Sequence, residues 1–206
     1  MHPNSAFRGT TPENNIRFAR ERGFGVLAVA VDGLPLLSHV PFLLSEGGST
    51  ADLHLVRSNP ISRMLRDPVV ARIAVSGPDG YISPDWYEVA DQVPTWNYVA
   101  VHLTGELVPL PDSDLRGILD RETAFFETRL LPKTPWHADK MTEEALGRMM
   151  RMIVPCRFHV HKIDGTWKLN QNKPEEVRLR AADRVAAVGF GLDTPALSQM
   201  MRDAAE

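Results

Sequence analysis

Cysteine occurs once in the 206-residue chain, at Cys156, so no internal disulfide can form and a reducing cytoplasm is the expected compartment. No apolar run in the sequence approaches the roughly 20 residues that a membrane-spanning helix needs. Met1-His2-Pro3-Asn4-Ser5 lacks the positive and apolar regions of a secretory signal, which also points to the cytoplasm. Charge of one sign is missing too: 26 acidic residues face 23 basic ones, for a net charge of −3, and no run of Lys or Arg stands out. A nucleic-acid module usually gathers a basic face, because phosphate neutralisation supplies most non-specific affinity. Direct DNA binding therefore finds no support in composition. The chain has no Ser-His-Asp signature, no HExxH, no nucleophile elbow and no Gly-rich phosphate loop among alternating strands and helices. It offers no catalytic residue to name. Repeats, low-complexity tracts and a convincing linker are also missing, so one domain over residues 1–206 is expected.

What is present suits a folded protein with a sizeable core: 43% of residues are apolar and 24% charged. Thr11-Pro12-Glu13 reads as a helix start, with Gly23 as its stop. Residues 24–31 and 34–44 read as strands joined by the hairpin signal Asp32-Gly33. A third strand is expected over 52–57, a short helix over 61–66, and a fourth strand over 69–76 closed by the turn-like Gly77-Pro78-Asp79-Gly80. A long strand over 97–107 precedes helices at 112–130 and 142–152, the second opened by an approximate capping box at Thr142. A late strand over 154–163 follows, residues 167–170 extend the sheet, and two C-terminal helices close the chain. Short-turn antiparallel strands with late helices predict a small β-barrel decorated by helices.

Three segments carry candidate chemistry. Around Ser58-Asn59-Pro60, a strand runs into a helix; its amides, with Arg57, Arg63 and the hydroxyls of Ser58 or Ser62, suit an anion. Plain helix capping with both arginines in water explains the same residues. Between Gly77 and His102, Tyr81, Trp86, Tyr87, Trp96 and Tyr98 concentrate, with Ser83, Gln92, Thr95 and Asn97 as polar tips. This composition suits either a flat aromatic ligand or a packed lid or dimer contact. The stretch Trp167-Lys168-Leu169-Asn170-Gln171-Asn172-Lys173-Pro174 offers amide and amine donors for a flavin, or is simply a polar loop. His159 and His161 share one strand face without a third ligand at supporting spacing, so no metal site is expected. Cys156 reads as an inert core thiol.

Together, Gly80-Tyr81-Ile82-Ser83-Pro84-Asp85-Trp86-Tyr87, Val93-Pro94-Thr95-Trp96-Asn97-Tyr98 through His102, and Lys168 to Lys173 resemble one family: the FMN-binding negative transcriptional regulators, which include the bacterial protease-synthase and sporulation regulators. Phe24-Gly25, His39-Val40-Pro41 and Ser58-Asn59-Pro60 fall in the same order, and the resemblance covers about residues 7–205. It implies a mainly β fold with α elements, a split β-barrel similar to pyridoxamine-phosphate oxidases and flavin reductases. The helical insertion would lie at about 112–152 and the C-terminal helices at about 174–205. It implies FMN as cofactor and a homodimer with FMN in the groove between subunits. By that similarity Arg57, Ser58, Asn59 and Arg63 lie near the phosphate, and His39, Val40 and Pro41 along the ring edge. Trp96 and Asn97 border the flavin, and Gln171, Asn172 and Lys173 close it from the other side. The expected role is negative transcriptional regulation or redox sensing. Flavin-dependent oxidoreduction, haem binding through a histidine, and a scaffold role without ligand are the alternatives.

Overall fold

The computed structural model describes residues 2–204; Ala205, the last residue of the expected C-terminal helical region, lies outside the described residues. Seven strands form one mainly antiparallel sheet: β1 (Phe24–Val31), β2 (Leu34–Pro41), β3 (Leu43–Leu44), β4 (Thr50–Val56), β5 (Val69–Ile82), β6 (Thr95–Pro109) and β7 (Ile153–Lys168). Their order is β2-β1-β5-β6-β7-β4-β3, with β2 and β3 at open edges, so the sheet is not closed and the fold is of split-barrel type. The helices are α1 (Pro12–Arg22), α2 (Pro60–Met64), α3 (Leu115–Glu127), α4 (Glu143–Met150), α5 (Glu175–Val188) and α6 (Thr194–Asp203).

The chain divides into two compact units. One, here unit 2, comprises Ile16–Val75 and His102–Ile163. Its hairpin turns on Asp32 and Gly33, at φ 49° and 83°, the positive pair that a two-residue turn of this twist requires. Pairing runs from Val31↔Leu34 to Phe24↔Pro41. Alternation then sends Leu27 and Val29 inward with Val40, Phe42, Leu53, Leu55, Ile73, Leu103 and Phe158, all buried. Each such side chain contributes about 1.5–3 kcal/mol. The strand expected over 34–44 is interrupted at buried Phe42, whose N–H donates to Gly23 O at 2.9 Å. The helix expected over 112–130 is α3 flanked by 3-10 turns, Asp112–Asp114 and Thr128–Leu130. Thr142 caps α4, its side chain accepting from Ala145 N.

Unit 1 comprises Met1–Asn15, Ser76–Val101 and Asp164–Glu206. Here the expected turn at Gly77-Pro78-Asp79-Gly80 is continuous strand, the second half of β5. The reason is a remote partner: Asp79 N donates to Leu192 O at 3.0 Å and Tyr81 N to Phe190 O at 2.9 Å. The glycine at 80 serves close packing, since a Cβ there would sit 2.9 Å from Leu197 Cδ2. α5 buries Val177, Arg178, Ala181, Ala182 and Val185, the i, i+3, i+4, i+7 stripe of a helix packed on one face. α6 buries Leu197, Ser198 and Met201, with the Ser198 hydroxyl donating to Ala182 O at 2.8 Å.

Candidate functional site

Of the candidate residues, seven lie in unit 2 and five in unit 1, by the residue ranges of those units. In unit 2, Asn59 caps α2: its Oδ1 accepts from Ile61 N at 2.9 Å, and its Nδ2 donates to Ser38 Oγ at 2.9 Å. That second bond ties the start of α2 to β2 beside His39, Val40 and Pro41, so the two sequence groups meet. Val40 is buried, Pro41 half-buried, and His39 exposed, its ring 6.3 Å from that of Phe24. Ser58 and Arg63 are exposed. Arg57 is held elsewhere: Nε donates to Arg151 O at 3.1 Å, and Nη2 to Ile153 O at 3.2 Å and to the Asp112 carboxylate at 3.4 Å. The capping expectation holds for Asn59, while Arg57 is exposed and tethered to Asp112 and the start of β7 rather than to α2.

In unit 1, Trp96 is half-exposed, its ring edge-on to Tyr81 at 6.3 Å and to Phe190 at 5.9 Å. Asn97 is fully buried, and neither of its amide atoms has a hydrogen-bond partner among the described residues. Gln171 braces its own turn: Oε1 accepts from Leu169 N at 2.8 Å, and Nε2 donates to Trp167 O at 2.5 Å and Ala6 O at 3.2 Å. Asn172 is exposed. Lys173 donates to Gln92 Oε1 and lies 4.2 Å from the centre of the Tyr87 ring; Lys168 donates to Thr95 Oγ1. Burial lowers the pKa of both lysines. Tyr87 is itself buried, which raises its phenol, and it donates to Asn170 Oδ1 at 3.3 Å. Asn170 sits at φ 64°, a left-handed conformation that Asn tolerates better than most residues.

Several polar groups escaped sequence reasoning. Ser38 joins the site only through its bond to Asn59. Arg178 shows in sequence only as an arginine on the apolar stripe of α5. In unit 2, Asp52 accepts from Arg157 Nε at 2.7 Å and Arg121 Nη2 at 2.8 Å. Burial pushes its carboxyl up, but the two guanidiniums outweigh that and hold it below the usual value. His54 Nδ1 lies 3.2 Å from Glu122 Oε2 without the alignment of a hydrogen bond. His159 and His161 are both exposed, and no group of three or more His, Cys, Asp or Glu among the described residues could hold a metal ion. Cys156 is fully buried, which pushes its thiol up to about 12. No helix among the described residues is long and apolar enough to cross a membrane.

Residues 1–162 match the family described as "Putative FMN-binding domain". Among curated proteins, "Protease synthase and sporulation protein PAI 2" of Bacillus subtilis strain 168 is 29% identical over 171 residues, spanning 82% of this chain and 81% of that protein. Among solved structures, an FAD and haem binding protein from Mycobacterium smegmatis superposes with a TM-score of 0.58 at 16% identity, covering 90% of this chain and 82% of the other. A conserved hypothetical protein from Mycobacterium tuberculosis gives a TM-score of 0.55 at 16% identity, covering 84% and 94%. At such identities the structural likeness speaks for the fold.

Proposed function

This chain belongs to the FMN-binding-domain family that its residues 1–162 match, and from that premise we propose that it is a homodimeric flavoprotein whose FMN serves negative gene regulation or redox sensing. The observation that carries the reading in unit 2 is the Ser38–Asn59 bond, which brings the β2 segment His39-Val40-Pro41 to the start of α2. The residues present fit the cofactor there. The exposed Ser58 hydroxyl and Arg63 guanidinium are donors suited to a phosphate, Asn59 holds the turn that presents them, and the β2 segment supplies an apolar ring edge. Arg57 joins the phosphate only on release from Asp112. In unit 1, Trp96 supplies an exposed ring for stacking, and the exposed Asn172 amide remains available as a donor. The fixed bonds of Gln171 and Lys173 and the burial of Asn97 give those three a supporting part. Bound FMN supplies reversible one- and two-electron transfer; the chain's own residues bind and orient it.

Support for the dimer comes from the outer face of the β1–β2 hairpin, where Phe24 and Leu37 are exposed apolar side chains of one parity, a surface of the kind that marks association. With a net charge of −3 and no basic run, regulation is assigned to a protein partner rather than to direct DNA contact.

The test is an absorption spectrum of purified protein followed by FMN titration. A flavin spectrum with saturable quenching is expected, and Arg63→Ala weakens FMN on the order of tenfold while leaving riboflavin, which lacks the phosphate, unchanged. A colourless protein that ignores FMN overturns the reading. Leu37→Lys is expected to shift the dimer toward monomer in sedimentation; a wild-type monomer at all concentrations overturns the dimer.

A further inference from the structure

The interior of unit 1 contains a guanidinium two of whose three nitrogens are buried without a partner. Arg178 is 97% buried by its 3% relative exposure, and its Nε and Nη1 have no hydrogen-bond partner among the described residues. A guanidinium carries its charge at any working pH. Leaving such a charge alone in a protein interior is strongly destabilising. Arg178 lies in the first turns of α5, a 14-residue helix. Helical side chains lean toward their own N-terminus, and the turn from Asn170 to Lys173 leads into that end of α5. There a second buried donor waits. Asn170 is 2% exposed, Tyr87 occupies its Oδ1, and its Nδ2 has no partner. The phenol thus fixes which way the amide points, and leaves its N–H₂ to donate elsewhere.

We propose that unit 1 holds a phosphate-type oxyanion, bound by the guanidinium of Arg178 and the amide N–H₂ of Asn170 at the positive end of α5. Three observations converge on an acceptor bearing negative charge: a fixed cation, a donor-only amide and a helix N-terminus. Glu175 and Glu176 in the first turn are exposed, where water screens them. The site lies beyond residues 1–162, the part of the chain that matches the family, and shares no residue with the Arg63 phosphate contact proposed above, with which it competes if the oxyanion is that of FMN. The oxyanion is either free, as inorganic phosphate, or the phosphate of a larger ligand such as FMN.

Full-length protein purified without phosphate is to be titrated with inorganic phosphate, following the thermal midpoint beside matched chloride. Phosphate stabilises most proteins non-specifically, so the readout is the difference between wild type and two variants, Arg178→Met and Asn170→Asp. Asp tolerates the left-handed backbone and places an internal carboxylate beside Arg178, which keeps the test open if Arg178→Met does not fold. The expected result is a saturable rise in wild type that each folded variant lacks, with phosphate affinity by calorimetry reduced on the order of tenfold or more. Equal rises in wild type and variants, or an Arg178→Met protein more stable than wild type in saturating phosphate, overturns the proposal. FMN and riboflavin form the second arm. A preference for FMN lost in Arg178→Met assigns the oxyanion to the cofactor; a preference kept there but lost in Arg63→Ala assigns it to a separate anion. Failure of FMN binding with the phosphate response intact would sink the flavin reading alone.

Discussion

In unit 2 the Asp52 carboxylate is met by two guanidiniums, Arg157 at 2.7 Å and Arg121 at 2.8 Å, whereas in unit 1 the more deeply buried Arg178 has no such mate among the described residues. Other polar groups differ less sharply. Arg57 of unit 2 spends its donors on two carbonyls and Asp112, while Asn97 and Asn170 of unit 1 keep amide atoms unpaired inside the protein, as His54 Nδ1 and Glu122 Oε1 do in unit 2. Paired charge near a surface serves the fold. Unpaired polar groups in an interior cost stability unless something else completes them.

Glycine close contacts give the largest expected contrast. A Cβ on Gly105 in unit 2 would lie 2.9 Å from His159 C and 3.1 Å from Val160 Cα, backbone atoms of β7. Gly105→Ala should therefore cost about 3 kcal/mol or more in chemical denaturation; a loss below 1 kcal/mol would show that the strands can part. Next comes Asp52→Asn. It leaves Arg157 and Arg121 without their anion and should cost about 1–3 kcal/mol at neutral pH. Because the folded carboxyl titrates below its ordinary value, its contribution is complete above the unfolded value and is lost as pH falls through the lower folded one. The wild type should accordingly lose its advantage over Asp52→Asn in acid, and two stability curves that stay parallel down to low pH would contradict the pairing.

Gly165→Ala in unit 1 is milder, because the new Cβ meets the Asn15 side chain, with Cγ at 2.6 Å, and a side chain can turn aside. The expected loss is about 1–2 kcal/mol, from the forfeited bond between Trp167 Nε1 and Asn15 Oδ1, now 2.8 Å. It should be accompanied by a change in tryptophan fluorescence, and an unaltered spectrum would contradict this. The smallest effect belongs to Cys156. With its thiol pushed up to about 12 by burial, it should resist a thiol reagent at mildly alkaline pH until the protein is unfolded; rapid modification of the native protein would place it at an accessible surface.

Local signals were legible. The Asp32-Gly33 hairpin, the Asn59 and Thr142 caps and the Gly23 stop depend on a few adjacent residues, and each stands where the sequence indicates. The mainly β fold and the flavin family could be read because motifs spread along the chain keep their order. Gly77-Pro78-Asp79-Gly80 was misleading, since its composition is that of a turn and its conformation is decided by Phe190 and Leu192. The candidate site divides in the same way. Ser58 and Asn59 announce a cap, but nothing near Arg57 in sequence reveals that Asp112 and the start of β7 hold it. Nor could the charge on Arg178 be recognised as buried before α5 had a face to bury.

The bonds joining Asp79 and Tyr81 to Leu192 and Phe190 have a temporal meaning as well. Their partners are separated by 113 residues in the case of Asp79 and Leu192, so on a ribosome the far end of β5 emerges long before the chain that completes it. Until then Asp79 and Tyr81 present unpaired N–H groups beside the exposed ring of Trp96, the kind of strand margin that recruits other chains. Assembly of unit 1 is thus a late, long-range event, and nascent chains that stop short of Phe190 are the ones most exposed to self-association.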